Sequence, residues 1–278
     1  MRAAVFDRFG PPEVLRVAEL PDLEPGPGQV RVRVRAAGVQ PVDVKIRQGA
    51  IPWAKVSFPQ TIGQEYSGVI DRLGEDVDGF AVGDTVLGST MLAGQAAQVV
   101  VPVKDLVRKP DHLDFPTAAA LVSAAQTASG ALRDLAVGPR DVLLVHAAAG
   151  SVGTVAVQLA RLAGATVIGT ASPGNHDYLR QLGAIPVAYG DDLPQAVRAV
   201  AAELPTVALD AAGGDAVAQS VALGIPRDPA RLAEVVALAA RGVITMPIRA
   251  YPLAEVADAH AAVESRHGRG KVVLIVEP

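Results

Sequence analysis

The stretch that most restricts the fold of this chain joins an apolar run to an amphipathic segment through small residues. Residues 143–145 are apolar and typical of a buried strand, and residues 151–163 have the spacing of a helix. Between them Ala148, Gly150 and Gly153 follow a dinucleotide-binding fingerprint whose first glycine is replaced by alanine. Gly150 would let a pyrophosphate approach the backbone, and Gly153 would let the helix pack closely on the strand. A tight corner with no ligand is the alternative for this glycine turn, residues 148–153.

The chain around the glycine turn alternates between strands and helices. This alternation predicts right-handed βαβ units and a parallel sheet, which binds ligands beyond the carboxyl ends of its strands. After the first strand, 141–146, and its helix, 151–163, the predicted elements are a strand at 166–170, a helix at 176–182, a strand at 185–188, a helix at 194–203 and a strand at 206–210.

The first 110 residues or so instead have the short alternating runs and Gly/Pro corners of a small β-barrel or sandwich. In Val30-Arg31-Val32-Arg33-Val34-Arg35 the valines are expected on a buried face and the arginines on a solvated face. An anion-contacting surface is the alternative for the arginines. One further strand is predicted at 270–276.

Composition excludes several classes of site and partner. The 278 residues include no cysteine, which excludes disulfides, thiolate catalysis and cysteine-ligated zinc, and the five histidines are scattered. The net charge of −4 has no block of like charge, so we expect no nucleic-acid partner. No apolar run reaches the ~18 residues of a membrane span, and the N-terminus does not resemble a signal peptide. We therefore expect a cytoplasmic protein with a small-molecule substrate.

The strand end after the glycine turn favours NADPH over NADH. NAD-binding units place an acidic residue about 20 residues after the glycines, to hold the ribose 2′-hydroxyl. Here no carboxylate occurs between Gly153 and Asp177, whereas Ser172, Asn175 and His176 could donate to a 2′-phosphate. No lysine or arginine lies on this loop, and Arg180 follows one helical turn later. An ordinary polar turn before a helix is the alternative.

Several ordered motifs resemble those of one family. The chain is similar to the zinc-free quinone oxidoreductases of the medium-chain dehydrogenase/reductase superfamily over nearly its whole length. The stretches that carry this resemblance are AAGVQPVD (36–43), IGQEYSGV (62–69), FAVGDTV (80–86), HAAAGSVG (146–153), VALDAAGG (207–214) and GKVVL (270–274).

The resemblance implies a fold and a reaction. It implies a GroES-like β-domain formed by residues 1–112 and 251–278, and a doubly wound Rossmann-type NADP-binding domain formed by residues 113–250, with the active site in the cleft between them. NADPH would deliver hydride to a quinone or an α,β-unsaturated carbonyl. A homodimer is left open. The resemblance and the carboxylate-free end of the strand at 166–170 together give these cofactor-binding candidates: Thr127, Ala149, Gly150, Ser151, Val152, Gly153, Thr170, Ser172, Asn175, His176, Tyr189 and Lys271. Core packing is the alternative for Tyr189.

Three of the four candidate catalytic residues are glutamines at which the chain departs from the family. Zinc-dependent relatives carry cysteine and histidine where Gln40 and Gln64 stand, so no catalytic metal is expected, and zinc-free members usually carry asparagine at position 40. With Gln126, these glutamines would offer neutral hydrogen-bond donors to a substrate; surface or supporting amides are the alternative. Tyr66 is the fourth candidate, although we expect it to pack rather than to donate a proton.

Two further expectations concern acidic residues and the length of the chain. Asp84 is expected to hold a turn, and Glu65 to hold its loop. After Gly214 we expect at least one strand, its turn and a loop that in the family lies beside the nicotinamide to be missing. This shortening leaves two alternatives to redox catalysis: a non-redox cyclisation or isomerisation in a biosynthetic pathway, or a nucleotide-binding module without catalysis.

Overall fold

The computed structural model describes residues 1–212 and 227–276. The chain forms two compact units, one of Met1–Val122 with Pro247–Pro278 and one of Ser123–Met246. The shortening expected after Gly214 lies outside the described residues. Within residues 1–212 and 227–276, no helix is long and apolar enough to cross a membrane.

The first unit is built mainly from short β-strands. Its elements are β1 (Arg2–Phe6), β2 (Leu15–Glu19), β3 (Gln29–Val39), α1 (Pro41–Arg47), β4 (Gln60–Thr61), β5 (Glu65–Leu73), β6 (Thr85–Ser89), β7 (Gln98–Pro102) and β8 (Leu106–Arg108). Helix α2 (Phe115–Asp134) then crosses into the second unit.

The second unit alternates strands with helices. Its elements are β9 (Val142–His146), α3 (Ser151–Leu162), β10 (Thr166–Thr170), α4 (His176–Gln181), β11 (Ile185–Val187), α5 (Leu193–Val200), β12 (Val207–Asp210) and α6 (Pro229–Ala240). The chain then returns to the first unit with β13 (Ile248–Pro252), α7 (Val256–Glu264) and β14 (Lys271–Ile275).

Strand β3 organises the larger sheet of the first unit. The sheet has the order β13-β14-β3-β5-β6-β8, and β7 pairs with β3 as well, while β2, β1 and β4 form a smaller sheet. Strand β14 runs antiparallel to β3, with Val273 opposite Gly38. The last strand of the chain is thereby fixed beside the residues that lead to Gln40.

The alternation in β3 separates two faces, as its sequence predicts, but one arginine is not solvated. Val30, Val32 and Val34 are fully buried, because every second side chain of a strand faces the core. The side chain of Arg31 is only 13% exposed and binds the carboxylate of Asp71 through Nε at 2.9 Å and Nη2 at 3.1 Å. The prediction of a solvated side chain was therefore wrong at Arg31, because β5 places the acidic partner Asp71 beside it.

Arg31 and Arg33 offer a matched test of this ion pair. Because buried charge-assisted bonds stabilise more than exposed ones, we expect Arg31→Ala to lower the free energy of unfolding by about 1–2 kcal/mol. Arg33 is half exposed and lies 3.8 Å from Asp71, so Arg33→Ala should cost less than about 0.5 kcal/mol. Urea unfolding of both variants measures the difference, and equal costs would contradict it.

The second unit contains the parallel sheet that the alternation predicts. Its described strands have the order β11-β10-β9-β12, and all three pairings are parallel. The chain passes from β9 outward to β10 and β11 and then crosses to the other side of β9 at β12. The carboxyl end of β9 therefore lies at the point where the strand order reverses, which is where open parallel sheets bind ligands.

Most element bounds in this unit agree with the prediction, and one helix is shorter. Strand β10 spans the predicted residues, and α3 ends within one residue of its predicted end. Helix α5 was predicted to reach residue 203 but ends at Val200, because Ala201 turns extended. The nearby Pro205 disfavours helical backbone at Leu204, so the helix could not have continued much further.

Candidate functional site

The glycine turn is held in one conformation by the end of β10. Ala147 adopts a left-handed backbone with φ of 53°. Its N–H donates to Thr170 Oγ1 at 3.2 Å, and the N–H of Ala148 donates to the Thr170 carbonyl at 3.0 Å. Thr170 itself is buried, so its hydroxyl holds the backbone of the turn from the protein interior.

Gly153 is required by close packing. A Cβ at this position would lie 2.6 Å from Ala148 Cα and would also collide with the carbonyl oxygen of Ala147. The backbone of α3 thus lies directly against the turn, as the fingerprint predicts. A side chain at position 153 would push the helix away from the strand.

The first turn of α3 presents backbone donors that the helix itself does not use. Gly150 precedes the helix in an extended conformation and provides no side-chain cap. Thr154 is the first residue of α3 whose N–H has an acceptor within the helical turn: it donates to the Gly150 carbonyl at 2.8 Å. The N–H groups of Ser151, Val152 and Gly153 therefore have no acceptor within the helix. Ala149, beside them, is buried and small, so the turn fits a pyrophosphate.

Polar candidates for the ribose phosphate follow the next strand. Ser172 and Asn175 are half-buried, and Asn175 Nδ2 donates to Ser172 Oγ at 3.2 Å. His176 is also half-buried, with Nε2 3.3 Å from the Ala171 carbonyl oxygen. Arg180 forms an exposed ion pair with Asp177. No carboxylate lies on the loop between β10 and α4.

Tyr189 lies at the same edge of the sheet. Val187 is opposite Thr170 in the parallel register, which places Tyr189 and Ser172 each two residues beyond a paired position. Tyr189 is 63% exposed. Core packing, the alternative for this residue, was therefore wrong, and its ring is accessible to a ligand.

Three remaining candidates lie elsewhere. Thr127 is half-buried on α2. Gln126, one residue earlier, is buried and accepts a hydrogen bond from the N–H of Asp228 at 2.7 Å, next to the start of α6. Lys271 is buried at the start of β14 and forms an ion pair with Glu65 on β5. Gln126 and Lys271 thus both have protein partners.

Gln40 and Gln64 lie at the ends of neighbouring strands in the first unit. Gln40 follows β3, is half-buried and precedes α1, and its N–H donates to Asp43 Oδ2 at 2.9 Å. Gln64 precedes β5, is buried, and its carbonyl accepts from Thr90 at 2.9 Å. Since β3 and β5 pair along the sheet, with Ala37 opposite Tyr66, both glutamines belong to one end of this strand pair.

Two expectations about neighbouring side chains are confirmed. Tyr66 is fully buried in the core of the first unit, and its hydroxyl lies against Gly88. Asp84 holds a turn, since its Oδ2 accepts from the N–H of Ala81 and pairs with Arg108, both at 2.9 Å. Glu65, which was expected to hold its loop, also balances the charge of Lys271.

Sequence reasoning missed a group of buried polar residues beneath Gln40. Asp43, Gln95, His260 and Arg47 are all fully buried in the first unit. The pKa of Asp43 is raised to about 7, first by burial and then by the charge of nearby Glu65, while the Gln40 N–H and Lys271 oppose the rise. Burial, and then the charge of Arg47, lowers the pKa of His260 to about 3. In the sequence, Asp43 and His260 are visible as polar residues among the apolar residues of helices, whereas Gln95 lies outside the helices and carries no such signal.

The raised pKa of Asp43 predicts a pH dependence of stability. Its folded pKa of about 7 lies above its unfolded value, so the folded state binds more protons between those values. This contribution is present below the unfolded pKa and is lost as pH rises towards 7, at up to about 1.4 kcal/mol per pH unit. We expect Asp43→Asn to remove that decline in urea unfolding from pH 5 to 7.5. The exposed Asp191→Asn is the control, and parallel curves for Asp43→Asn and wild type would contradict the shift.

The described residues contain no cluster of three or more histidine or acidic side chains placed to hold a metal ion. Gln40 and Gln64 carry amides, which are not among the usual zinc ligands. With cysteine absent from the whole chain, the side chains at these two positions do not provide the donors of a zinc centre.

Known proteins share this architecture. Residues 26–111 match the alcohol dehydrogenase GroES-like domain, and residues 166–274 match the zinc-binding dehydrogenase family. The solved quinone oxidoreductase of Coxiella burnetii is 30% identical with a TM-score of 0.92, over 100% of this chain and 99% of that one.

Curated relatives match over a shorter part of their length. A quinone oxidoreductase of Pseudomonas aeruginosa is 38% identical over 184 residues, which are 64% of this chain and 55% of that protein. The pikromycin polyketide synthase component PikAII of Streptomyces venezuelae is 46% identical over 160 residues, 57% of this chain and 4% of that protein. The two matched domains and the full-length structural likeness show that this chain belongs to the medium-chain dehydrogenase/reductase superfamily.

Proposed function

We propose that this protein is an NADPH-dependent oxidoreductase that reduces a quinone or an α,β-unsaturated carbonyl compound without zinc. The observation that carries the proposal is the glycine turn at the end of β9, with N–H groups that the helix does not use beside a carboxylate-free strand end. The glycine turn fits a pyrophosphate, and the strand end tolerates a 2′-phosphate that an acidic residue would repel.

Different residues would bind different parts of NADPH. The N–H groups of Ser151, Val152 and Gly153 would hold the pyrophosphate, and Ser172 with its neighbours would hold the 2′-phosphate. The exposed ring of Tyr189 provides a face for stacking. When bound, NADPH supplies the hydride.

The glutamines of the first unit would act on the substrate. An amide N–H from Gln40 or Gln64 can stabilise the negative charge that develops on a carbonyl oxygen as hydride arrives at carbon. Neither side chain changes its protonation state near neutral pH, so both would orient and polarise the oxygen rather than protonate it.

The names of relatives support a quinone as one substrate. Two compared proteins are named quinone oxidoreductases, and another is a polyketide synthase component.

Three further expectations stay predictions: the domain division at residues 112/113 and 250/251, a cytoplasmic location and a homodimer.

NADPH oxidation, followed at 340 nm, tests the proposed function. The panel should contain quinones, 2-alkenals and an α,β-unsaturated thioester, each with NADPH and with NADH. We expect turnover of at least one class, with NADPH preferred. NADPH binding without turnover of any class would favour the non-redox or nucleotide-binding alternative, and the absence of both would overturn the proposal.

A carboxylate introduced after β10 should reverse the cofactor preference. Because like charges repel at close range, we expect Ser172→Asp to weaken NADPH binding at least ~10-fold while NADH binding changes little. Isothermal titration with both nucleotides measures this change. The control is Ser57→Asp, which adds the same charge at an exposed site of the first unit. An equal loss for NADH would show that Ser172 does not face the 2′-phosphate.

A further inference from the structure

Gln95 joins the two loops that carry Gln40 and Gln64. Its Nε2 donates to the Gly38 carbonyl and to Asp43 Oδ2, at 3.4 Å each. Gly38 and Asp43 lie on either side of Gln40, and Asp43 Oδ2 also accepts the Gln40 N–H. The amide of Gln95 therefore contacts the end of β3 and the first turn of α1 at once.

The backbone of Gln95 lies against the loop of the second glutamine. Its N–H donates to the Ile62 carbonyl at 3.0 Å, two residues before Gln64. Gly63 has φ of 100°, and a Cβ there would lie 2.6 Å from both Cγ and N of Gln95. The N–H groups of Ala93 and Gly94 both reach the Gly63 carbonyl. The segment 93–95 thus fixes the backbone that leads to Gln64.

His260 fixes the orientation of the Gln95 amide. Since the Gly38 carbonyl can only accept, Nε2 of Gln95 faces β3, and its Oε1 faces Nε2 of His260 at 3.0 Å. That oxygen needs a donor, so the neutral imidazole carries its proton on Nε2. Both side chains are fully buried, where an unpaired polar group is costly. The amide of Gln95 therefore cannot exchange the positions of Nε2 and Oε1 without losing the hydrogen bonds of both atoms.

We propose that Gln95, oriented by His260, is a positioning residue that sets Gln40 and Gln64 relative to each other for the reduction. The inference rests on the proposed function, because it assigns Gln95 to the same reaction. Gln95 acts through the backbone around the two glutamines and needs no contact with substrate.

Gln95→Leu removes the donor and the acceptor together. We expect kcat to fall at least ~10-fold, as misplacement of groups that stabilise the transition state does, with the NADPH dissociation constant changed less than twofold. Gln95→Glu is the second variant if the first fails to fold. It keeps the shape of the side chain but replaces the donor to Gly38 with an acceptor.

Gln98→Leu is the matched control. Gln98 lies three residues away in the same unit, and its Oε1 accepts from the N–H of Leu23 at 3.0 Å, so this variant loses a comparable bond away from Gln40. A general loss of stability would affect the melting temperature of both variants, whereas positioning predicts a fall in kcat for Gln95→Leu alone.

Hydrogen exchange separates this inference from the proposed function. In Gln95→Leu, and not in Gln98→Leu, amides of residues 38–46 and 62–66 should exchange faster than in wild type. Wild-type inactivity across the substrate panel would sink the proposed function, and exchange would then decide whether Gln95 fixes both loops. Unchanged exchange in either loop, or an unchanged kcat where wild type is active, would overturn the role of Gln95.

Discussion

Gly153→Ala is expected to weaken NADPH binding at least ~100-fold, a loss of about 2.7 kcal/mol in binding free energy. The added methyl group has no space, because it would meet Ala148 Cα at 2.6 Å and the carbonyl oxygen of Ala147. Helix α3 must move away from the strand, and the N–H groups of its first turn leave the position in which they converge on a phosphate. Fluorescence titration with NADPH measures the loss.

The control for this variant makes the same chemical change in the same unit. A Cβ added at Gly138 would have nothing within 4 Å, and the φ of this residue is ordinary, so Gly138→Ala should bind NADPH like wild type. Circular dichroism and melting temperature establish that both variants fold. A folded Gly153→Ala that binds NADPH normally would show that the glycine turn is only a corner.

Gln40→Leu should reduce kcat by roughly 100-fold while leaving the NADPH dissociation constant unchanged. Loss of one donor to a developing oxyanion costs about 10²–10³ in rate. The substitution lies in the first unit and leaves the glycine turn intact. Steady-state kinetics with the best substrate of the panel, together with nucleotide titration, separate these two effects.

A conservative variant makes the role of the amide testable. Gln40→Asn keeps an amide at the position where zinc-free members of the family usually carry asparagine, so its kcat should stay within about tenfold of wild type. Gln195→Leu, an exposed glutamine on α5, should leave kcat unchanged. If Gln40→Leu is as active as wild type, the amide of Gln40 does not act on the substrate.

The parallel sheet and the glycine turn were predictable because their signals are local. The spacing of apolar residues predicts helix α3, and a short apolar run predicts strand β10. Gly150 lies between strand β9 and helix α3, where the backbone must turn tightly, and Gly153 lies in the first turn of α3. The lack of an acidic residue after β10 is likewise visible in the letters alone. These features need no knowledge of distant parts of the chain.

Other features could not be predicted, since their causes are distant in sequence. Arg31 has the period of a solvated residue, but β5 brings Asp71 beside it from 40 residues away. Gln126 is predicted to lie at the substrate, and the structure adds a partner that the letters do not show, the N–H of Asp228. In both cases the partner, rather than the residue itself, decides what the side chain does.

The sequence by itself determined the class of the fold, the position of the glycine turn and the absence of any cysteine-ligated metal. Local periodicity and composition are sufficient for those conclusions. Only the tertiary structure decided what surrounds Gln40: β14 pairs with β3, and α7 brings His260 to Gln95 across 165 residues of sequence. The physical reason is that a buried polar group must find its partner in space, and strand pairing, not sequence distance, determines which partner is near.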